Sequence, residues 1–126
     1  TDDFLSQSIQ LLKQHSTTHQ TAMIYMSDHG ESLGENGLYL HGMPYFMAPD
    51  AQKNVATLMW FDASLRKTLN IQNLNANAAY SHDNLFHTVL GLMEVSTSIY
   101  NEKLDIISQD KLHTQFSQND IQQSDR

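Results

Sequence analysis

Residues 25–49 read YMSDHGESLGENGLYLHGMPYFMAP and hold most of the side chains capable of chemistry. Asp28 and His29 stand side by side at the end of a short apolar run, followed by Gly30. Carboxylate oxygen and imidazole nitrogen are donors that zinc favours. Neighbouring residues at a strand end can both reach one ion if the backbone turns between them, and Gly30 permits such a turn. Read alone, Asp-His-Gly fits equally well a loop turn in which Asp28 caps a backbone N–H. His41 follows near the far end of the same loop. A loop that folds back brings it to the same place, as a further ligand or as a proton donor and phosphate contact. As a lone histidine in a polar loop it reads more simply as a surface residue. Glu31 and Glu35 can be ligands or can orient an imidazole, but solvated carboxylates are the default reading.

Other patterns are excluded or carry less. The acidic spacing does not fit a calcium-binding EF-hand loop. No glycine-rich phosphate loop ending in Lys-Ser/Thr is present. His82, Asp83 and His87 cluster, with residues 83 and 87 on one helical face. Asp83 is accounted for by the helix N-terminus, and His87 reads as a helix-surface or interface residue with a structural role. His15, His19 and His113 lie in polar surroundings and are assigned no role. The six methionines fall mostly in apolar runs and read as core.

The elements that must position these groups follow from pattern. Phe4, Leu5, Ile9, Leu11 and Leu12 recur at helical spacing, predicting a helix over 3–15 with Thr1, Asp2 and Asp3 able to cap it. Residues 21–26 are short and apolar and predict a buried strand. Helix then buried strand predicts an α/β layer with a parallel sheet, in which ligands sit beyond the carboxyl ends of the strands. Asp28 and His29 occupy that position. Gly30, Gly34, Gly37 and Gly42 concentrate in the loop, where they permit positive φ and close backbone approach. Long ordered loops are commonly functional. Residues 55–61 predict a second strand, 65–69 a short helix and 70–80 a loop. Ser81 caps a helix through Leu85, Phe86, Val89, Leu90, Leu92 and Met93, ending near Glu94. Residues 95–106 read as irregular and partly packed, and 108–126 as a polar, mobile tail.

The 126 residues suffice for one domain. Seven Lys and Arg against 14 Asp and Glu give a formal charge of −7, which argues against gripping nucleic acid. A metal can still supply local positive charge for an anionic substrate. There is no cysteine, so disulfides and thiolate zinc sites are excluded. No apolar run approaches the ~20 residues of a membrane span. The chain opens on Thr1 without a leader, and two or three ligands do not complete a catalytic zinc site. Both features lead us to expect a piece of something longer.

The loop motif resembles the C-terminal part of the lipid A phosphoethanolamine transferases. These are inner-membrane enzymes with a periplasmic, sulfatase-like domain of the alkaline phosphatase superfamily, and they include the mobile colistin-resistance transferases. SHDNLFHTVLGLMEV (81–95) and STSIYNEKLDI (96–106) resemble the family's last helix and closing segment. The resemblance covers residues 3–106. It implies part of a sulfatase-like α/β parallel-sheet sandwich with flanking helices, ending near residue 107. It implies that Asp28 and His29 are ligands of a catalytic zinc and that His41 lies near the transferred phosphate or a second zinc. The family's other ligands, a Glu and the nucleophilic Thr, would lie upstream of Thr1, as would another histidine and a membrane domain of several helices. Thr17, Thr18 and Thr21 lack the nucleophile's context. This piece alone is therefore expected to be inactive. The implied reaction moves phosphoethanolamine from phosphatidylethanolamine through the Thr to a lipid A phosphate, weakening attraction for cationic peptides such as polymyxins. Rival readings are the same zinc fold acting on core sugars, a sulfatase or phosphatase, or a non-catalytic metal-binding module. Ala56 stands where the family pattern leads us to expect proline, and the tail departs from the family's usual ending.

Overall fold

A computed structural model describes residues 1–71, 74–76 and 78–109. The chain divides into two compact units, Thr1–Leu65 and Arg66–Arg126. Most of the expected mobile tail, residues 110–126, lies outside the described residues.

The first unit begins with helix α1, Asp2–His15. Asp2 and Asp3 sit in its first turn, where negative charge suits the helix dipole. Thr1 is the N-cap, but its side chain makes no capping hydrogen bond. None of the helix is buried, and Phe4 and Leu11 are largely exposed despite their helical spacing. After α1 come strands β1, Ala22–Met26, β2, Ser32–Leu33, and β3, Tyr39–Leu40. Then follow the one-turn helix α2, Asp50–Lys53, strand β4, Thr57–Phe61, and helix α3, Ala63–Thr68.

β1 pairs with β4 from Ala22 opposite Phe61 to Met26 opposite Thr57, and the pairing is antiparallel. The expected parallel arrangement is thus not what these two strands form. A parallel neighbour requires a crossover connection of a dozen or more residues, usually built on an α-helix that packs across the sheet. The segment between β1 and β4 holds only the β2–β3 hairpin and the four residues of α2, so the chain returns beside itself in the opposite sense. β1 is also half-buried along its whole length rather than buried. The ladder continues past the strands, with Ser27 N–H donating to the Ala56 carbonyl at 3.0 Å. That contact uses only the carbonyl, which proline would equally offer.

Asp62 ties the two strands together at their other end. One carboxylate oxygen accepts the N–H groups of Ser64 (2.7 Å) and Leu65 (3.0 Å), capping α3. The other accepts the Thr21 N–H and, at 3.2 Å, the Thr21 hydroxyl. The N–H groups of Thr21 and Leu65 hold this carboxyl below the ordinary aspartate range, outweighing its burial. Ala48, Phe61 and Leu65 form the buried apolar part of the unit.

In the second unit, helix α4 spans His82–Leu92 with Ser81 as its N-cap in a reciprocal capping box with Asn84. The residues it buries are polar ones, Asn84 and Thr88, while Phe86, Val89 and Met93 are 42% to 68% exposed. The polar stripe docks the closing segment. Asn84 Nδ2 donates to the Leu104 carbonyl at 2.8 Å, and Thr88 Oγ1 accepts the Ile106 N–H at 3.0 Å. His87 Nδ1 accepts the Asn101 N–H at 3.1 Å, which gives this histidine a structural task. Gly91 lets the segment close in: a Cβ there would overlap the Asp105 carboxylate and meet the Tyr100 hydroxyl at 3.2 Å. The segment read as irregular, 95–106, contains the 3-10 turn Glu102–Leu104 and ends on Ile106, which with the next residue, Ile107, is the most buried apolar position among the described residues.

Candidate metal centre

The site lies in the first unit, on the loop between β1 and α2. His29 follows the end of β1, and its Nδ1 lies 2.9 Å from the Gly30 carbonyl. A carbonyl only accepts, so Nδ1 carries the proton and Nε2 keeps its lone pair for a metal. Asp28 lies beside it, with Oδ1 accepting the His29 N–H at 3.1 Å and Oδ2 3.9 Å from His29 Nε2. Two donors on one tetrahedral zinc at bonds of ~2.0–2.1 Å stand roughly 3.3 Å apart. The Asp28–His29 spacing thus needs only a small side-chain adjustment to serve one ion. Asp28 also plays the bland part open to it in the sequence, as acceptor for a local N–H, and its side chain is 90% exposed.

The β2–β3 hairpin reverses the loop, with Ser32 opposite Leu40 and Leu33 opposite Tyr39. Its turn runs through Gly34 at φ 123° and Asn36 at φ 55°. Leu33 N–H donates to Glu35 Oε2 at 2.8 Å. Backbone N–H groups, that of Glu35 itself first and those of Leu33 and Gly34 with it, hold the Glu35 carboxyl below the ordinary glutamate range. Glu35 is therefore a turn former here. Leu40 at φ 67° and Gly42 at φ 98° then bend the chain on both sides of His41. A left-handed conformation is uncommon for a bulky residue such as leucine.

The reversal sets the His41 ring against that of His29, with centroids 4.0 Å apart and planes inclined by 33°. His41 Nδ1 lies 3.0 Å from Glu31 Oε2. The carboxylate accepts the Nδ1 proton and leaves Nε2 as the free donor atom, the arrangement common for imidazoles that bind metals. Nitrogen or oxygen donors of His29, Glu31 and His41 converge within 4.8 Å of one another. Two imidazoles and a carboxylate are a donor set that suits zinc, so the residues present fit a metal ion.

His29 and His41 are brought together, and Asp28 lies next to His29 but outside the converging trio. Glu31, read as solvated from sequence, is the addition. A signal was available: it lies two residues past His29, and alternate residues of an extended segment share a side. Gly30 serves the turn differently from expectation. Its φ is not positive; rather, a Cβ there would collide with the Ala51 carbonyl and lie 2.9 Å from the Gln52 carbonyl carbon. The Thr18 and Thr21 hydroxyls are otherwise engaged: Thr18 bonds His19 Nδ1 at 2.8 Å, and Thr21 bonds Asp62.

Among the described residues no helix is long and apolar enough to cross a membrane. The sulfatase family matches residues 1–95. Over 111 residues the chain is 47% identical to phosphoethanolamine transferase EptA of Escherichia coli strain K12, a match covering 84% of this chain and 20% of that protein. The crystal structure of the C-terminal periplasmic domain of phosphoethanolamine transferase EptC from Campylobacter jejuni superposes with a TM-score of 0.71 at 41% identity, covering 84% of this chain and 34% of that one. The integral membrane protein lipooligosaccharide phosphoethanolamine transferase A from Neisseria meningitidis superposes with a TM-score of 0.78 at 38% identity, covering 86% and 21% respectively. The chain spans about a fifth of the curated relative it matches.

Proposed function

The chain belongs to the sulfatase family, and from that premise we propose that it forms the C-terminal portion of the catalytic domain of a membrane phosphoethanolamine transferase. The observation that carries this reading is the His29–His41 pair, each ring with Nδ1 engaged and Nε2 free, in a chain nearly half identical to a named transferase of this type. The donor is phosphatidylethanolamine and the acceptor a lipid A phosphate. The whole enzyme sits in the bacterial inner membrane with this portion facing the periplasm, joined to an N-terminal membrane domain.

Asp28 and His29 would hold the zinc, His29 through Nε2. When bound, zinc supplies Lewis acidity toward the phosphate oxygens and favours the deprotonated nucleophile. That nucleophile is a threonine outside this chain. Its oxygen bonds to phosphorus as the bond to the diacylglycerol oxygen breaks, and an oxygen of the lipid A phosphate then displaces it. His41 faces the transferred phosphate through Nε2, as a contact to its oxygens or as the group that carries the proton the leaving alkoxide needs. Glu31 fixes the ring that does this. Without the threonine the chain on its own does not catalyse transfer.

A second reading follows from the converging trio: Glu31 and His41 join His29 around a metal as direct ligands. The test of the main reading is a chimera in which this chain replaces the matching fifth of the Escherichia coli relative. Phosphoethanolamine-modified lipid A in cells carrying the chimera, and its loss with His29→Ala, is the expected result. Unmodified lipid A from a chimera that is membrane-inserted and zinc-loaded would overturn it in favour of another acceptor or of a non-catalytic module.

A further inference from the structure

Two arms of one loop carry the site. His29 and Glu31 lie on the arm leaving β1, and His41 lies on the arm leaving β3. The hairpin between them has only two residue pairs, too short a ladder to fix the arms by itself. Gln52 of α2 bonds to both. Its carbonyl accepts the Gly30 N–H at 3.3 Å. Its side-chain Nε2 donates to Ser32 Oγ at 2.9 Å, and its Oε1 accepts the Met43 N–H at 3.4 Å. Gly30 and Ser32 bracket Glu31, and Met43 lies just past His41. Ser32 is 1% exposed, and its hydroxyl accepts from the Gln52 amide in place of solvent. α2 also rests directly on the Gly30 backbone, in space that any Cβ would fill.

We propose that Gln52 is a positioning residue of the metal centre, holding the His29–Glu31 arm and the His41 arm at the separation that lets their donor atoms converge. It touches neither the ion nor the substrate. The position calls for a donor toward Ser32 and an acceptor toward Met43 at once, which a carboxamide provides. Glutamate would keep most of the tie, because its oxygen still accepts from Met43 and the Ser32 hydroxyl can turn to donate. Alanine would keep only the backbone bond. The inference rests on the proposed metal site for one of its two readouts and not for the other.

The experiment uses the 126-residue chain and two measurements. The first is the nuclear Overhauser contact between the His29 and His41 ring protons in the metal-free protein. The second is titration with Co(II) as the probe metal, followed by its visible absorption. Gln52→Ala is expected to remove the ring contact and to lower Co(II) affinity about 10–100-fold, the usual effect of losing a group that orients ligands. Gln52→Glu should restore both. Asp50→Asn, which only breaks the exposed ion pair to Lys53 on the same helix, should change neither. If Gln52→Ala does not fold, Ser32→Ala removes one arm's bond with Gln52 in place and is expected to weaken the contact and the affinity. A ring contact and affinity unchanged in Gln52→Ala, or Gln52→Glu as damaging as alanine, would overturn the inference. Absence of Co(II) binding by the unaltered chain would mean that the ligands the proposed function places outside this chain are needed to hold the ion, and loss of the ring contact in Gln52→Ala would then by itself support the positioning role.

Discussion

The imidazoles of His29 and His41 lie 4.0 Å apart centre to centre, though one follows β1 and the other follows β3. Each is held through Nδ1 by a different acceptor, a backbone carbonyl for His29 and the Glu31 carboxylate for His41. The carbonyl of the next residue leaves Nε2 open on His29, and the reversal of the loop onto Glu31 does so on His41.

His29→Ala removes one of two converging imidazoles. Zinc affinity of the chain, read by calorimetric titration, should fall more than about 100-fold, beyond the roughly 10–100-fold loss expected from any orienting residue alone. Unchanged affinity would refute His29 as a ligand.

Glu31 separates the two readings of the trio. Glu31→Gln keeps an acceptor for the His41 Nδ1 proton but removes the anionic oxygen. If Glu31 only orients His41, zinc affinity changes little in Glu31→Gln and drops about 10–100-fold in Glu31→Ala. Equal losses in both variants would make Glu31 a direct ligand.

Gly30→Ala forces a methyl into the backbone of α2. Overpacking of this kind costs about 1–3 kcal/mol, so the melting temperature should fall by roughly 4 °C or more. Gly37→Ala is the comparison, since a Cβ there meets nothing within 4 Å and the penalty comes only from its φ of 74°. A Gly30→Ala variant as stable as the parent would mean that α2 can move away from the loop.

Asp62 should confer an acid-sensitive share of stability. Its folded carboxyl titrates below the ordinary range, so its contribution is fully present above the unfolded value of about 3.9 and is lost as pH falls through the folded value. Melting temperature measured from pH 6 downward should decline less steeply in Asp62→Asn than in the parent, from a lower starting point. Parallel declines would show that other carboxylates account for it.

Thr88→Val keeps the shape of a side chain that is 0% exposed while removing the acceptor for the Ile106 N–H. Leaving that buried donor unpaired should cost about 1–3 kcal/mol in chemical denaturation. Phe86→Ala, on a side chain 50% exposed, should cost less. The reverse order would mean that the apolar face of α4, and not its polar stripe, holds the closing segment.

Local chemistry was enough to place α4 and its Ser81 cap, the strands around residues 22–26 and 57–61, and the Asp-His pair at a strand end. These are set by neighbours in the chain: a capping side chain, a short apolar run, a glycine after a histidine. The motif's likeness to the transferases was also legible, because it lies in consecutive residues. What the sequence could not settle depends on partners far along the chain. The antiparallel pairing of β1 and β4 follows from what the connection lacks, a crossover helix. Glu31 is one exposed glutamate among several until the hairpin turns His41 back onto it. α4 has an apolar pattern, yet Asn84 and Thr88 are the residues it buries, because the main chain of residues 101–106 needs hydrogen-bond partners there. Gln52 is a lone amide in a four-residue helix, and only the folded loop gives it two arms to hold.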